Sequence, residues 1–254
     1  MSCDLENKLK RFAGTAMMHH LKETFSLYGE IHSHGDALIP LIRKLLLEID
    51  VRTHRLGRLT EYVTALFILM NDIDESETKN LIDEIMSKNP DIHPVLRIRL
   101  SSLSSFSLSN FHKKHLEAIP VFISKTVTDP HNVQRKLTEW SESIDADIRH
   151  INRIYVIQKD ELDYLGEFTR ILNILVVVWK HNMISREYVF YHELGHAIDK
   201  GDPYDREERE TFADRFASRL IIRSHPFLFH PLIRSISASI LLSNSAPEHR
   251  RFLQ

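Results

Sequence analysis

The chain has 254 residues, of which 43% are hydrophobic and 27% are charged, and only 7 are glycine. This composition is typical of a globular protein and excludes a disordered chain, a collagen-like repeat and a disulfide-rich scaffold. With 33 Lys and Arg against 35 Asp and Glu, the formal net charge of -2 does not favour binding to nucleic acid or to an anionic membrane. The single cysteine, Cys3, cannot form an internal disulfide, so we expect a cytoplasmic site of action.

The N-terminal sequence reaches charged residues before an apolar run develops, unlike a secretory signal. The longest apolar stretch lies within residues 171–179, and Asn173 interrupts it. It is far shorter than the roughly 20 residues of a membrane-spanning helix. We therefore expect no membrane span.

The N-terminal half is predicted to be an array of helices. Glycines are few and apolar residues recur every three or four positions, which favours the α-helix. This spacing predicts helices over residues 5–28, 37–50, 59–70, 75–86, 95–103, 111–126 and 133–151, with Pro40 in the first turn of the second. We place a boundary near residue 130, between a helical region of residues 1–130 and a functional region of residues 131–254.

The functional region is predicted to include a small β-sheet. Residues 153–158 are rich in β-branched and aromatic side chains and predict a strand. The apolar segment 171–179 predicts a buried helix or strand. The expected fold class is therefore mainly α, of the α+β type.

A five-residue motif carries the chemistry: residues 192–196 are His-Glu-Leu-Gly-His, an HExxH pattern. Residues four apart lie on one face of a helix, so His192 and His196 can offer two imidazoles to one Zn²⁺. Glu193 lies beside this face, where its carboxylate can take a proton from a water activated by the metal. Ser185 is the expected N-cap of this helix, and Gly201 is expected to end it.

A second helical segment follows the motif, and it offers carboxylates. Glu210 can supply a third ligand, and Asp214, four residues later, can contact the free ring nitrogen of a ligand histidine. Glu207 and Glu208 are alternative third ligands, although inward-facing Ala213 favours Glu210. Three protein ligands would leave one position for water, as in catalytic zinc sites. The last residue considered, Asp199, is either a second-layer partner of the site or a solvated carboxylate at the helix end.

Residues 185–222 resemble the gluzincin metallopeptidases, in which a glutamate from a downstream helix joins an HExxH helix. The second motif, Glu210-x-x-Ala213-Asp214-x-Phe216-Ala217, is most similar to that of the ImmA/IrrE-type proteases. The resemblance implies a zincin-like core with Zn²⁺ on His192, His196 and Glu210, and with Glu193 as general base. It also implies a protein substrate that is cleaved by a regulatory protease. The alternative context is a bacterial effector delivered into a host cytosol.

The residue that stabilises the oxyanion stays open. His225 and Tyr204 are the preferred donors, and the other candidates are Tyr188, Tyr191 and His230. Two other functions also stay open: a helical interaction module with a structural or inactive zinc site, and a zinc hydrolase of a non-peptide bond. The sequence does not decide the oligomeric state.

Overall fold

The computed structural model describes residues 2–52, 56, 59–158, 166–179, 183–201 and 205–225. Their helices are α1 (Ser2–Met17), α2 (Leu21–His32), α3 (Ile39–Glu48), α4 (Leu59–Ile73), α5 (Glu75–Lys88), α6 (Pro94–Ser105), α7 (Pro130–Ser141), α8 (Met183–Ile198) and α9 (Arg206–Ser224). Their strands are β1 (Phe111–Leu116), β2 (Ile119–Ser124), β3 (Arg153–Ile157), β4 (Gly166–Thr169) and β5 (Ile174–Val178). This part of the chain is mainly helical with one small sheet, which confirms the α+β class. None of its helices is long and apolar enough to cross a membrane.

The predicted helix over residues 5–28 is wrong in one respect, because it is two helices. Residues 18–20 form a turn between α1 and α2. His19 in this turn has a φ of 57°, in the left-handed region that ends a right-handed helix. Both helices bury apolar residues at helical spacing, so the apolar pattern alone does not reveal the break.

The predicted helix over residues 111–126 is also wrong: this segment is the β1–β2 hairpin. Along β2, buried and partly buried side chains alternate one by one, with Ile119, Val121 and Ile123 facing the core. That alternation has the period of a strand rather than of a helix. The hairpin turn includes Glu117, whose φ of 51° is again left-handed.

The helix predicted over residues 133–151 is shorter than expected. It is α7, which begins at Pro130 and ends at Ser141. The Asp129 side chain caps it by accepting a hydrogen bond from the backbone N–H of Asn132 at 2.9 Å. Residues 142–152 continue as turns and extended chain.

The five strands form one mixed sheet in the order β1-β2-β3-β5-β4. The predicted strand at 153–158 is confirmed as β3, and the apolar segment 171–179 contributes β5. β3 is parallel to β2 and β5, whereas the outer strands β1 and β4 are antiparallel to their neighbours. Since β1 and β2 precede residue 130, the sheet draws strands from both sides of the expected domain boundary, which stays a prediction.

The sheet separates two apolar cores. On one side, α1 to α6 pack together and against Ile174 and Val176 of β5. On the other side, α7, α8 and α9 pack against Leu175 and Val177 of the same strand. The two layers therefore share β5, and the side that holds α8 and α9 carries the HExxH motif.

A buried ion pair joins the first helical layer to the sheet. Both terminal nitrogens of Arg153 donate to the carboxylate of Asp72 in α4, at 2.6 and 2.5 Å. The hydroxyl of Tyr28 in α2 accepts a hydrogen bond from Arg153 and donates one to Asp72, each at 2.7 Å. Each charge thus has a partner with good geometry, as a buried ion pair requires.

Candidate metal centre

The helices α8 and α9 run antiparallel and contact each other more closely than ordinary helices do. A Cβ added at Gly195 would lie 2.7 Å from the Cα of Ala213, so only glycine fits at this position. Buried Phe190, Leu194 and Ala197 hold α8 on the core.

Helix α8 begins at Met183, so Ser185 lies in its first turn and is not the N-cap. The side chain of Asp205 caps α9 by accepting from the N–H of Glu208 at 2.9 Å.

The close helix contact brings three potential metal ligands together: His192, His196 and Glu210 each offer an atom within 4.8 Å of the others. The two Nε2 atoms are 3.2 Å apart, and Oε2 of Glu210 lies 3.4 Å from that of His192 and 3.6 Å from that of His196. Ligands at zinc bond lengths of about 2.0–2.1 Å on a tetrahedron are about 3.3–3.4 Å apart. The separations and the N₂O donor set therefore fit a zinc ion.

The structure places Glu210, and not its neighbours, at this cluster. Glu207 and Glu208 are exposed in the first turn of α9. Within the described residues, the only group of histidine, cysteine or acidic side chains at metal-ligand spacing is His192, His196 and Glu210. About half of the Glu210 side chain is exposed, so the cluster is open to solvent on that side.

The charges of the cluster are coupled. Burial lowers the pKa of His192, but the carboxylates of Asp214 and Glu210 outweigh burial and raise it to about 10. The imidazoles of His192 and His196 lower the pKa of Glu210 well below its usual range. The carboxylates on both sides of the His192 ring thus favour a positive charge on this ring.

Asp214 lies where the sequence predicts it, behind a candidate ligand histidine. Its Oδ1 atom is 2.9 Å from Nδ1 of His192, the ring nitrogen that faces away from His196 and Glu210. The same Oδ1 accepts a hydrogen bond from the hydroxyl of Tyr188 at 2.7 Å. The hydroxyl of Tyr188, which is one of the candidate oxyanion donors, therefore donates its hydrogen bond to Asp214.

Glu193 is buried between α8 and β4, the last strand of the sheet in the described part of the chain. A Cβ added at Gly166 would lie 2.8 Å from the Cγ of Glu193 and 2.9 Å from its Oε1. Glycine at this position of β4 therefore leaves the space that the glutamate occupies. The sequence prediction does not include Gly166; a glycine inside a strand, where another group approaches closely, is the signal that could have found it.

The structure corrects the interpretation of Asp199 as a solvated carboxylate, because its side chain is only 6% exposed. Its role as a second-layer partner of the site stays a prediction. It lies 3.9 Å from the guanidinium of Arg170, which follows β4, and 3.9 Å from that of Arg209 in α9. Its Oδ1 accepts from the N–H of Gly201 at 2.8 Å. Asp199 thus connects the end of α8 to the start of α9.

The structure does not bring His225 to the cluster. It caps the far end of α9, fifteen residues after Glu210, which is about 22 Å along a helix. There its Nε2 lies 2.7 Å from Oε2 of buried Glu187, beside a cavity of about 180 Å³. The hydroxyl of Tyr191 is also away from the cluster, and its oxygen is hydrogen-bonded to the hydroxyl oxygen of Ser143 at 2.7 Å. Tyr204 and His230 lie outside the described residues.

None of the protein-family models, curated proteins or solved structures compared with this chain matches it. The arrangement of α8 and α9 is therefore the basis for a functional proposal.

Proposed function

We propose that this protein is a zinc-dependent endopeptidase of the gluzincin type, with a zincin-like core built on α8, α9 and the sheet. One observation carries the proposal: two imidazoles and a carboxylate from adjacent helices lie at the mutual spacing of zinc ligands. The residues that would hold the metal are His192, His196 and Glu210. A zinc ion with three protein ligands can lower the pKa of water to about 7 and polarise a carbonyl group.

Glu193 is the proposed general base. It follows the first ligand histidine directly and lies outside the ligand cluster. In this role it would accept a proton from the attacking water and return that proton to the leaving amine. Asp214 would hold the His192 ring so that Nε2 faces the metal.

The position of β4 favours a peptide substrate over a non-peptide one. β4 is the last strand of the described sheet, and it lies against α8 beside Glu193. An extended peptide can add to such an edge by backbone hydrogen bonds, which would bring its carbonyl groups toward the HExxH helix. We extend the proposal to a cytoplasmic site of action and to substrate recognition or regulation by the N-terminal helices.

The metal-binding part of the proposal is tested with purified full-length protein. We expect one zinc per chain in the wild type, and little zinc in E210Q, which removes a charged ligand. The matched control is E207Q, because Glu207 is exposed one turn away on α9 and outside the cluster. Equal zinc content in E210Q and E207Q would contradict the assigned ligand set.

The peptidase part is tested by comparing new protein termini in cells that express the wild type, E193Q or E207Q. Glu193→Gln should keep the zinc and lose the cleavage products, because only the proton acceptor is changed. The E207Q control should produce the wild-type products. Identical terminus maps for wild type and E193Q, with zinc bound in both, would rule out peptide hydrolysis and favour a structural zinc site or a non-peptide substrate.

A further inference from the structure

The hydroxyl of Tyr188 and the ring of His192 converge on one oxygen atom. The two residues are four positions apart on α8 and therefore share a face of the helix. Tyr188 donates a hydrogen bond to Oδ1 of Asp214 at 2.7 Å, and Nδ1 of His192 lies 2.9 Å from the same oxygen. Their rings also pack together, with centroids 6.0 Å apart and planes inclined by 30°.

Asp214 needs such a restraint because its side chain is 40% exposed. A carboxylate on a solvent-facing part of a helix can rotate and exchange its partners with water. The side chain of Tyr188 is partly buried and packs against the apolar core that α7, α8 and α9 share. Tyr188 is thus fixed by its own surroundings and can hold the carboxylate in one orientation.

We propose that Tyr188 is a positioning residue of the metal centre, which acts through Asp214 on His192; this inference rests on the proposed zinc site. By holding Oδ1 against Nδ1 of His192, the tyrosine keeps the ring oriented with Nε2 toward His196 and Glu210. Partners of this kind orient metal-ligating histidines and increase the affinity for the metal. The sequence motif of the resembled family does not include this position.

A purely structural role would have a different signature. If the Tyr188 hydroxyl only joins α8 to α9, its removal changes stability but leaves the metal affinity unchanged. A matched control exists on the same helix: the Tyr191 hydroxyl is buried and bonded to Ser143 at 2.7 Å, away from the cluster. Y188F and Y191F thus each remove one hydrogen-bonded phenol oxygen from α8.

The test is the zinc affinity of full-length wild type, Y188F, Y191F, D214A and Y188F/D214A, measured by competition with a chelator. D214A should lose about 10–100-fold in affinity, and Y188F about 3–10-fold, since it acts one contact further away. Y191F should match the wild type. Because Tyr188 acts through Asp214, adding Y188F to D214A should cause no further loss.

The absorption bands of bound Co²⁺ give a second readout, because they report ligand geometry. The bands should change in Y188F and stay unchanged in Y191F. Zinc affinity of Y188F within twofold of the wild type, or a full additional loss in the double variant, would overturn the positioning role. Failure of the wild type to bind zinc would instead contradict the proposed function itself, so the two failures are distinguishable.

Discussion

Gly195 lies so close to Ala213 that a Cβ at residue 195 would be 3.1 Å from the Cβ of Ala213 and 2.7 Å from its Cα. This contact sets the distance between α8 and α9 beside the candidate metal ligands, since His196 is the next residue along α8. Glu210 lies one turn before Ala213 on α9. The separation of the helices therefore determines whether a carboxylate from one can share an ion with imidazoles from the other.

The first prediction is that Gly195→Ala separates the two helices. The added methyl group meets backbone atoms, which cannot move aside as a flexible side chain can, so we expect a loss of about 1–3 kcal/mol in the free energy of unfolding. Zinc affinity should also fall, because Glu210 moves away from the imidazoles. Denaturant unfolding and chelator competition measure the two effects.

The control for this substitution is Gly29→Ala in α2. Gly29 is exposed and an added Cβ would meet nothing within 4 Å, so the helix gains stability, by about 0.5–1 kcal/mol, and zinc affinity stays the same. An unchanged zinc affinity in G195A would show that the glycine does not set the geometry of the metal centre.

The second prediction separates metal binding from catalysis. In Gly166→Ala, the new methyl group would collide with the Cγ of Glu193 and with Val189, each at 2.8 Å. Glu193 must shift, whereas the three candidate metal ligands lie outside this contact. We expect peptidase activity to fall at least 10-fold, toward the roughly 10²–10⁴-fold contribution of a general base, with one zinc per chain retained. Full activity in G166A would show that the position of Glu193 tolerates displacement.

The third prediction concerns the charges at the end of α8. Burial and the neighbouring charge of Arg209 lower the pKa of Arg170 to about 10, and the charge of Asp199 opposes this change. Asp199→Asn removes the opposing charge that the described residues place beside the buried guanidinium of Arg170. We expect a loss of about 3 kcal/mol in unfolding free energy, at the low end for buried pairs because the atoms are 3.9 Å apart.

The matched substitution for D199N is Asp145→Asn, at an exposed position in the turns after α7. It should change the free energy of unfolding by less than about 0.5 kcal/mol, as surface substitutions usually do. If thermal and denaturant unfolding show that D199N changes the free energy of unfolding as little as D145N does, then solvent already screens the charges of Arg170 and Arg209.

The sequence predicts those features of the site that depend on the spacing of residues within a single helix. The candidate ligands His192 and His196 are four residues apart on one helix, and the positions of the inward-facing residues of α9 favour Glu210. The cluster therefore follows from the helical periods of the two segments. The hairpin at 111–124 shows the limit. The apolar residues of this segment fit the three- or four-residue spacing of a helix as well as the two-residue spacing of a strand. The segment forms strands because β2 pairs with β3, which is distant in the sequence.

Contacts between distant segments could not be predicted in this way. The burial of Asp199 depends on Arg170, which the turn after β4 brings to the end of α8. The separation of His225 from the metal centre depends on the length of α9, although the sequence places it just beyond the second motif. The fit of Glu193 against Gly166 requires the sheet edge, which no local pattern near the HExxH motif reveals.

The last prediction links the metal to the stability of the whole fold. A ligand that binds only the folded state adds about 2.7 kcal/mol to the unfolding free energy at a concentration 100 times its Kd. For a chain of this size, that gain should raise Tm by about 5–10 °C. Thermal unfolding with added zinc and after chelation measures the difference.

The variant His196→Ala tests whether this stabilisation comes from the proposed centre. Its metal-free form should still fold, because His196, although buried, belongs to neither apolar core. Zinc should then raise its Tm by much less than it raises the wild-type Tm, since one of three ligands is missing. The exposed His112 in β1 offers the control, and H112A should respond to zinc as the wild type does. An equal zinc response in H196A and H112A would place the stabilising ion somewhere other than between α8 and α9.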